Sequence, residues 1–184
     1  MNKRLDTMKK ILALFLFFGF SMVGLAQDSY NLSSESKLTI DGTSTAHSWT
    51  VSANKMEGNL MQQNESLIAI NFKVAVADII SERGAAMDKK MHAALKKEEH
   101  PKVSFVFEQL KNTSTLFGAL TIAGMTKNVE ITAEIASEGN TMNIKGGKKI
   151  VLQDFGIEPP SAMFGQIVVG DEVNIKFDLV FKKG

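Results

Sequence analysis

The chain has 184 residues, with 21 Lys and Arg against 20 Asp and Glu, and it has no cysteine. The missing cysteines exclude disulfide bonds, thiol chemistry and cysteine-ligated metals, and the nearly balanced charge lacks the clustered basic character of a nucleic-acid-binding protein. A chain of this length suits one domain with one core.

Residues 1–26 have the pattern of a secretory signal peptide. Two lysines precede an apolar run over residues 11–24, and small residues follow it as an A-x-A-like cleavage site. The run is about fourteen residues long, too short for a transmembrane helix of about 20 residues, which disfavours a retained anchor. We expect cleavage after Ala26 and a soluble periplasmic protein. Its net charge would be −2, because residues 1–26 hold four of the basic residues and one of the acidic ones.

Residues 27–36 are polar and predict a flexible leader before a barrel domain over residues 37–184. In that domain, apolar side chains recur at every second position in many short segments, which is the period of half-buried strands. These segments predict an all-β protein with one apolar face per strand, either a sandwich or a closed antiparallel barrel. Two of the segments flank Gly146 and Gly147, a pair typical of a hairpin turn.

One segment departs from the alternation. Between Ala85 and Glu99, the side chains of Met87, Met91 and Leu95 recur every four residues, which predicts a short amphipathic helix. The simpler interpretation of this methionine stripe is a patch packed on the barrel. The alternative is a lid over an opening, because methionine adapts well to irregular apolar surfaces.

The sequence contains no motif for a known chemistry. None of His47, His92 and His100 has a partner at metal-ligand spacing, and both the nucleophile-elbow and the glycine-rich phosphate-binding motifs are missing. We therefore predict no catalytic residue, no metal site and no cofactor. An enzyme acting on a bound lipid stays an alternative that no motif supports.

The alternation alone leaves the inside of the barrel undecided. An eight-stranded barrel is just wide enough to be filled by side chains or to hold one small ligand. His47 and Trp49 are two residues apart on a strand and so share a face. Each has an apolar body and a polar tip, which suits either a structural pair closing one end of the barrel or a contact for a ligand head group.

Five segments, in this order along the chain, resemble the YceI-like proteins. They are GTSTAHSWTV at 42–51, MDKKMH at 87–92, HPKVSF at 100–105, GALTIAGMTK at 118–127 and GDEVNIKFDL at 170–179. The resemblance covers essentially the whole chain after the signal peptide. The sequence departs from the family at Ser48, where members often have aspartate, and in the charged stretch before Pro101, which is often aromatic.

The resemblance implies an extended lipocalin-like antiparallel barrel with a helix beside it. It also implies a secreted or periplasmic protein that binds a long amphiphile, such as a polyisoprenoid, an isoprenoid quinone or a fatty-acid derivative, in the barrel lumen. Because no catalytic motif is present, we expect this binding protein to be non-enzymatic. The alternative is a barrel with a filled core that acts as a structural or protein-interaction module. Transient membrane contact and a homodimer through the face from Met87 to Leu95 are left open.

The alternation selects the candidate lumen residues, with His47 and Trp49 toward one end. A register error of one residue would move every one of them to the outer face. The candidates are His47, Trp49, Ile70, Phe72, Val74, Phe105, Phe107, Leu120, Ile122, Phe177 and Leu179.

Overall fold

The computed structural model describes residues 27–184, in which there are twelve β-strands and one α-helix. The predicted signal peptide lies outside the described residues. The strands are β1 Gln27–Leu32, β2 Lys37–Ser44, β3 Ser48–Ala53, β4 Met56–Gln63, β5 Ser66–Ala75, β6 Ile79–Ser81, β7 Lys102–Asn112, β8 Thr115–Ile122, β9 Met125–Glu138, β10 Thr141–Val151, β11 Ser161–Ala162 and β12 Ile167–Lys183. Helix α1 spans Ala85–Ala94, and 3₁₀ helices span Val76–Asp78 and Leu152–Phe155.

Eight strands close into an antiparallel barrel. Their order around it is β1-β4-β5-β7-β8-β9-β10-β12, and β1 pairs back with β12 to complete the ring. Strands β2, β3 and β6 continue the sheet from β12 next to this ring. The prediction of an all-β, lipocalin-like antiparallel barrel with one short helix is confirmed.

The prediction of a flexible leader over residues 27–36 is wrong for its first part, because β1 belongs to the barrel. Tyr30 pairs with Leu60 on β4, and Leu32 pairs with Phe181 on β12. Tyr30 is only 3% exposed, while the polar side chains around it point outward. Successive side chains of a strand point to opposite faces, so a segment with a single apolar side chain at its centre can still form a strand of the barrel.

The predicted hairpin at Gly146 is also wrong, because β10 runs straight through this residue. Gly146 pairs with Ala133 on β9. A Cβ atom at this position would lie 2.4 Å from the backbone oxygen of Thr132. The glycine is therefore needed for the close approach of two strands. The hairpin between β9 and β10 turns instead at Gly139, whose φ of 59° is in the left-handed region.

Helix α1 is attached to the short strand β6 by two hydrogen bonds. The backbone N–H of Ser81 donates to the carboxylate of Asp88 at 2.7 Å, and Nε2 of His92 donates to the carbonyl oxygen of Ile79 at 2.9 Å. The helix ends at Ala94 and is shorter than predicted. In the described part of the chain, no helix has the length and apolar character needed to cross a membrane.

The end of the barrel that β1 closes is filled by large side chains. Phe181 and Leu60 are completely buried there, and Met142 and Tyr30 are nearly so. They pack into one cluster with the buried side chains of β7 to β10. This filled end stabilises the barrel, and it leaves the opposite end as the place where a ligand could enter.

Candidate functional site

An apolar cavity of about 470 Å³ opens at the end of the barrel away from the filled end. Cavities that hold small molecules usually measure about 300–1,000 Å³. The deep wall is formed by Ile70, Phe105, Leu116, Leu120, Ile131, Ile144 and Leu179. We call the exposed side chains that line the cavity the mouth, and they are His47, Arg83, Met87, Lys90 and Ser161. The lumen is therefore filled at one end and open at the other.

All but one of the predicted lumen residues lie on the cavity wall. The residues on the wall are His47, Trp49, Ile70, Phe72, Val74, Phe105, Leu120, Ile122, Phe177 and Leu179. Phe107 is buried but does not line the cavity. Its neighbours Ile70 on β5 and Leu116 on β8 do line the cavity. Alternation predicts which face a residue lies on, but not whether its side chain reaches the cavity.

Several cavity-lining residues were not predicted. Three of them lie on the inward face of β10, namely Ile144, Lys148 and Ile150. The predicted turn at Gly146 would divide this strand into two short segments, so the pattern does not extend across it. Arg83 lies in the connection between β6 and α1, where no periodic pattern exists. No signal in the sequence assigns such a residue to the cavity.

The methionine stripe of α1 forms one side of the cavity. Met87, Met91 and Leu95 all line it, and Met91 and Leu95 also pack against a second buried cluster that contains Val51 and Val74. Both sequence interpretations therefore describe part of the arrangement. The helix packs on the barrel, and its apolar face is exposed to the lumen.

A chain of hydrogen bonds fixes the polar groups beside the mouth. Nε1 of Trp49 donates to the backbone oxygen of Thr43 at 3.0 Å. An Arg83 guanidinium nitrogen lies 2.6 Å from Nε2 of His47. Arginine can only donate, so His47 accepts at Nε2 and its Nδ1 carries the hydrogen. Nδ1 then donates to the backbone oxygen of Ser48 at 3.1 Å. The imidazole thus holds the guanidinium at the mouth.

Every charged side chain on the cavity wall is basic. Arg83, Lys90 and Lys148 line the cavity, and no aspartate or glutamate of residues 27–184 does so. The ion pairs found in this part of the chain include none of these three cations. The cavity therefore combines a largely apolar wall with three cations, and two of these, Arg83 and Lys90, belong to the mouth.

The cavity offers no acid–base pair of the kind that hydrolases use. His47 is its single histidine, and it has no carboxylate beside it on the described wall. Over residues 27–184, no three His, Asp or Glu side chains converge where they could hold a metal ion. The arrangement can hold an apolar chain whose polar end lies near the mouth.

A closed antiparallel barrel with one filled end and one apolar, open end defines a ligand-binding barrel of the lipocalin-like class. The sequence is matched by the family model of the YceI-like domain over residues 30–181, and the chain belongs to the YceI-like family. No curated protein matches the chain significantly by sequence.

Solved structures share this fold at low sequence identity. Burkholderia cenocepacia BcnA is 21% identical with a TM-score of 0.65, over 79% of this chain and 96% of BcnA. A polyisoprenoid-binding domain from Saccharophagus degradans, implicated in plant cell wall breakdown, is 10% identical with a TM-score of 0.66, over 84% and 98%. The Campylobacter jejuni YceI protein is 18% identical with a TM-score of 0.53, over 65% and 74%.

Proposed function

We propose that this protein is exported and holds one long apolar amphiphile in the barrel cavity, without catalysing a reaction on it. The candidate ligands are a polyisoprenoid, an isoprenoid quinone or a fatty-acid derivative. The observation that carries the proposal is the apolar cavity, which is open at one end of a barrel whose other end is filled. The fold shared with a polyisoprenoid-binding domain supports the same ligand class.

Burial of the ligand tail would supply the binding energy. Each methylene group removed from water contributes about 0.8 kcal/mol, so a tail of about ten buried carbons contributes about 8 kcal/mol before the cost of association. In this proposal the tail contacts Ile70, Phe105, Leu120 and Leu179 on the deep wall, and Phe177 beside them. The polar end stays near His47 at the mouth.

Export fits both the sequence and the fold. The apolar run and cleavage pattern of residues 1–26 support a signal peptide. A protein that carries an apolar molecule is useful where two membranes are separated by water. We therefore place the protein in the periplasm, where it would transport, store or sequester its ligand.

Native mass spectrometry of the protein purified from its own cell envelope tests the proposal directly. We expect one bound molecule per chain, and organic extraction should identify it as a long-chain lipid. A ligand-free mass that persists after incubation with quinone and fatty-acid mixtures would refute the proposal. A second experiment incubates the loaded protein and then recovers the lipid. We expect the lipid to be chemically unchanged, as a protein without catalytic activity requires.

A further inference from the structure

The most exposed large apolar side chains of the described residues lie together at the tip of one hairpin. Met163 is 64% exposed and Phe164 is fully exposed. They lie between β11 and β12, where both residues have a positive φ, 52° for Met163 and 55° for Phe164. The turn thus holds both residues in a conformation that is rare for side chains of this size. We call this pair the apolar tip.

The apolar tip lies beside the mouth of the cavity. Ser161 and Ile167, on the two strands that flank it, both line the cavity. The hairpin is also fixed to the turn after β2. Thr45 donates its hydroxyl to the backbone oxygen of Gln166 at 3.1 Å, and its N–H donates to the backbone oxygen of Val168 at 3.0 Å. The tip therefore projects beside the opening.

Cations accompany the apolar tip beside the mouth. The turn that holds Thr45 also holds His47, which accepts the hydrogen bond from Arg83. Lys90 lines the same opening from α1. Apolar side chains that project next to lysine and arginine are typical of surfaces that enter the interface of an anionic membrane. No carboxylate of the described residues lines the cavity beside these cations.

We propose that the protein docks with its mouth toward an anionic lipid surface and that Met163 and Phe164 enter the head-group layer. Arg83 and Lys90 then face lipid phosphates. In this orientation an apolar ligand passes between the bilayer and the cavity without crossing water. The docking surface is additional to the proposed binding function, because the tip does not line the cavity.

Flotation of the protein from which the signal peptide has been removed tests the proposal with two kinds of vesicle. One kind contains phosphatidylcholine alone, and the other contains equal parts of phosphatidylcholine and phosphatidylglycerol. We expect binding to the anionic vesicles that weakens as salt is added. The double variant Met163→Asn/Phe164→Asn should bind the anionic vesicles at least about tenfold more weakly, because it loses two apolar side chains that would insert into the head-group layer.

Two controls keep this test specific. Asparagine tolerates a positive φ, so the double variant should fold normally. Ile68→Thr removes an apolar side chain that is 41% exposed near the filled end and should leave vesicle binding unchanged. Arg83→Gln/Lys90→Gln should weaken binding to the anionic vesicles only, whereas Lys37→Gln, a change of an exposed lysine at the filled end, should not.

Two results would overturn the proposal. One is that the native chain binds the vesicles no better than the double variant does, which includes the case in which neither binds. The other is a native dimer, detected by sedimentation without vesicles, that the double variant dissociates, since the tip would then be covered by a second copy. The vesicle test needs no ligand in the cavity, so its failure leaves the lipid-binding proposal standing.

Discussion

The indole ring of Trp49 lies close to the backbone of Gly42, its partner in the pairing of β3 with β2. A Cβ atom at Gly42 would lie 2.1 Å from Cζ2 of this ring, which is far inside any van der Waals contact. The indole N–H is meanwhile held by the backbone oxygen of Thr43 at 3.0 Å. The missing side chain of Gly42 therefore makes room for the residue that forms the cavity wall next to the mouth.

We expect Gly42→Ala to displace the indole and to lower the free energy of unfolding by about 1–3 kcal/mol, the usual cost of overpacking. Urea titration followed by circular dichroism measures this loss. Trp49 is the single tryptophan of the chain, so its fluorescence reports the displacement directly.

A double-mutant cycle identifies the cause of that loss. In a Trp49→Ala background, Gly42→Ala should cost much less, because the clashing ring is gone. An equal cost in both backgrounds would mean that the contact between Gly42 and Trp49 is not the reason for the glycine.

Phe105→Asp should abolish lipid retention in a protein that still folds. Phe105 is buried on the cavity wall, and a carboxylate there would be deprived of water whenever an apolar tail fills the cavity. The matched control is Val106→Asp, since Val106 is the next residue on β7 and points outward. The lipid recovered per protein after extraction compares the two. Normal retention by folded Phe105→Asp protein would contradict the proposed place of the tail, and Phe177→Asp repeats the test from β12.

Tyr30→Ala should lower the free energy of unfolding by about 3–5 kcal/mol, the usual cost of removing a buried aromatic side chain. Tyr30 packs in the filled end and does not line the cavity, so folded protein should still retain lipid. Ser29→Ala, a change at its exposed neighbour, is the control in the same urea titration. A negligible loss for Tyr30→Ala would mean that β1 contributes little to closing the barrel.

Asp41 gives the outer face of the barrel a small dependence on pH. A hydrogen bond from Lys176 at 2.8 Å, together with one from the Thr50 hydroxyl at 2.6 Å, lowers the pKa of Asp41 below its usual value. The folded state therefore gains stability above the unfolded pKa of about 3.9, and it loses this gain as the pH falls through the lower folded value.

Because Asp41 is partly exposed, Asp41→Asn should cost at most about 1 kcal/mol at neutral pH. Urea titrations from neutral to strongly acidic pH should show the difference between native and variant proteins disappearing at the acidic end. The control is Lys176→Gln, which should have little effect once Asp41→Asn is present. A difference that stays constant over this range would exclude the ion pair as its cause.

The sequence predicted which side chains face into the barrel much better than which of them line the cavity. Alternation placed Phe105 and Phe107 correctly on the same inward face, but whether each lines the cavity depends on how the side chains of neighbouring strands pack. The predicted turn at Gly146 is wrong because the sequence does not distinguish a glycine needed for close contact between strands from a glycine needed for a turn. Arg83 could not be predicted, since its place at the mouth depends on how α1 and the turn of His47 meet.

The pairing of β1 with β12 has a practical consequence for attaching the protein to a surface. Gln27 pairs with Gln63, and the N–H of Gly184 donates to the backbone oxygen of Ser29 at 3.1 Å. Both positions therefore lie at the filled end. A biotin or a polymer tether joined to either one would turn the opening toward the solution, so that immobilised copies could capture hydrophobic molecules without hindrance from their support.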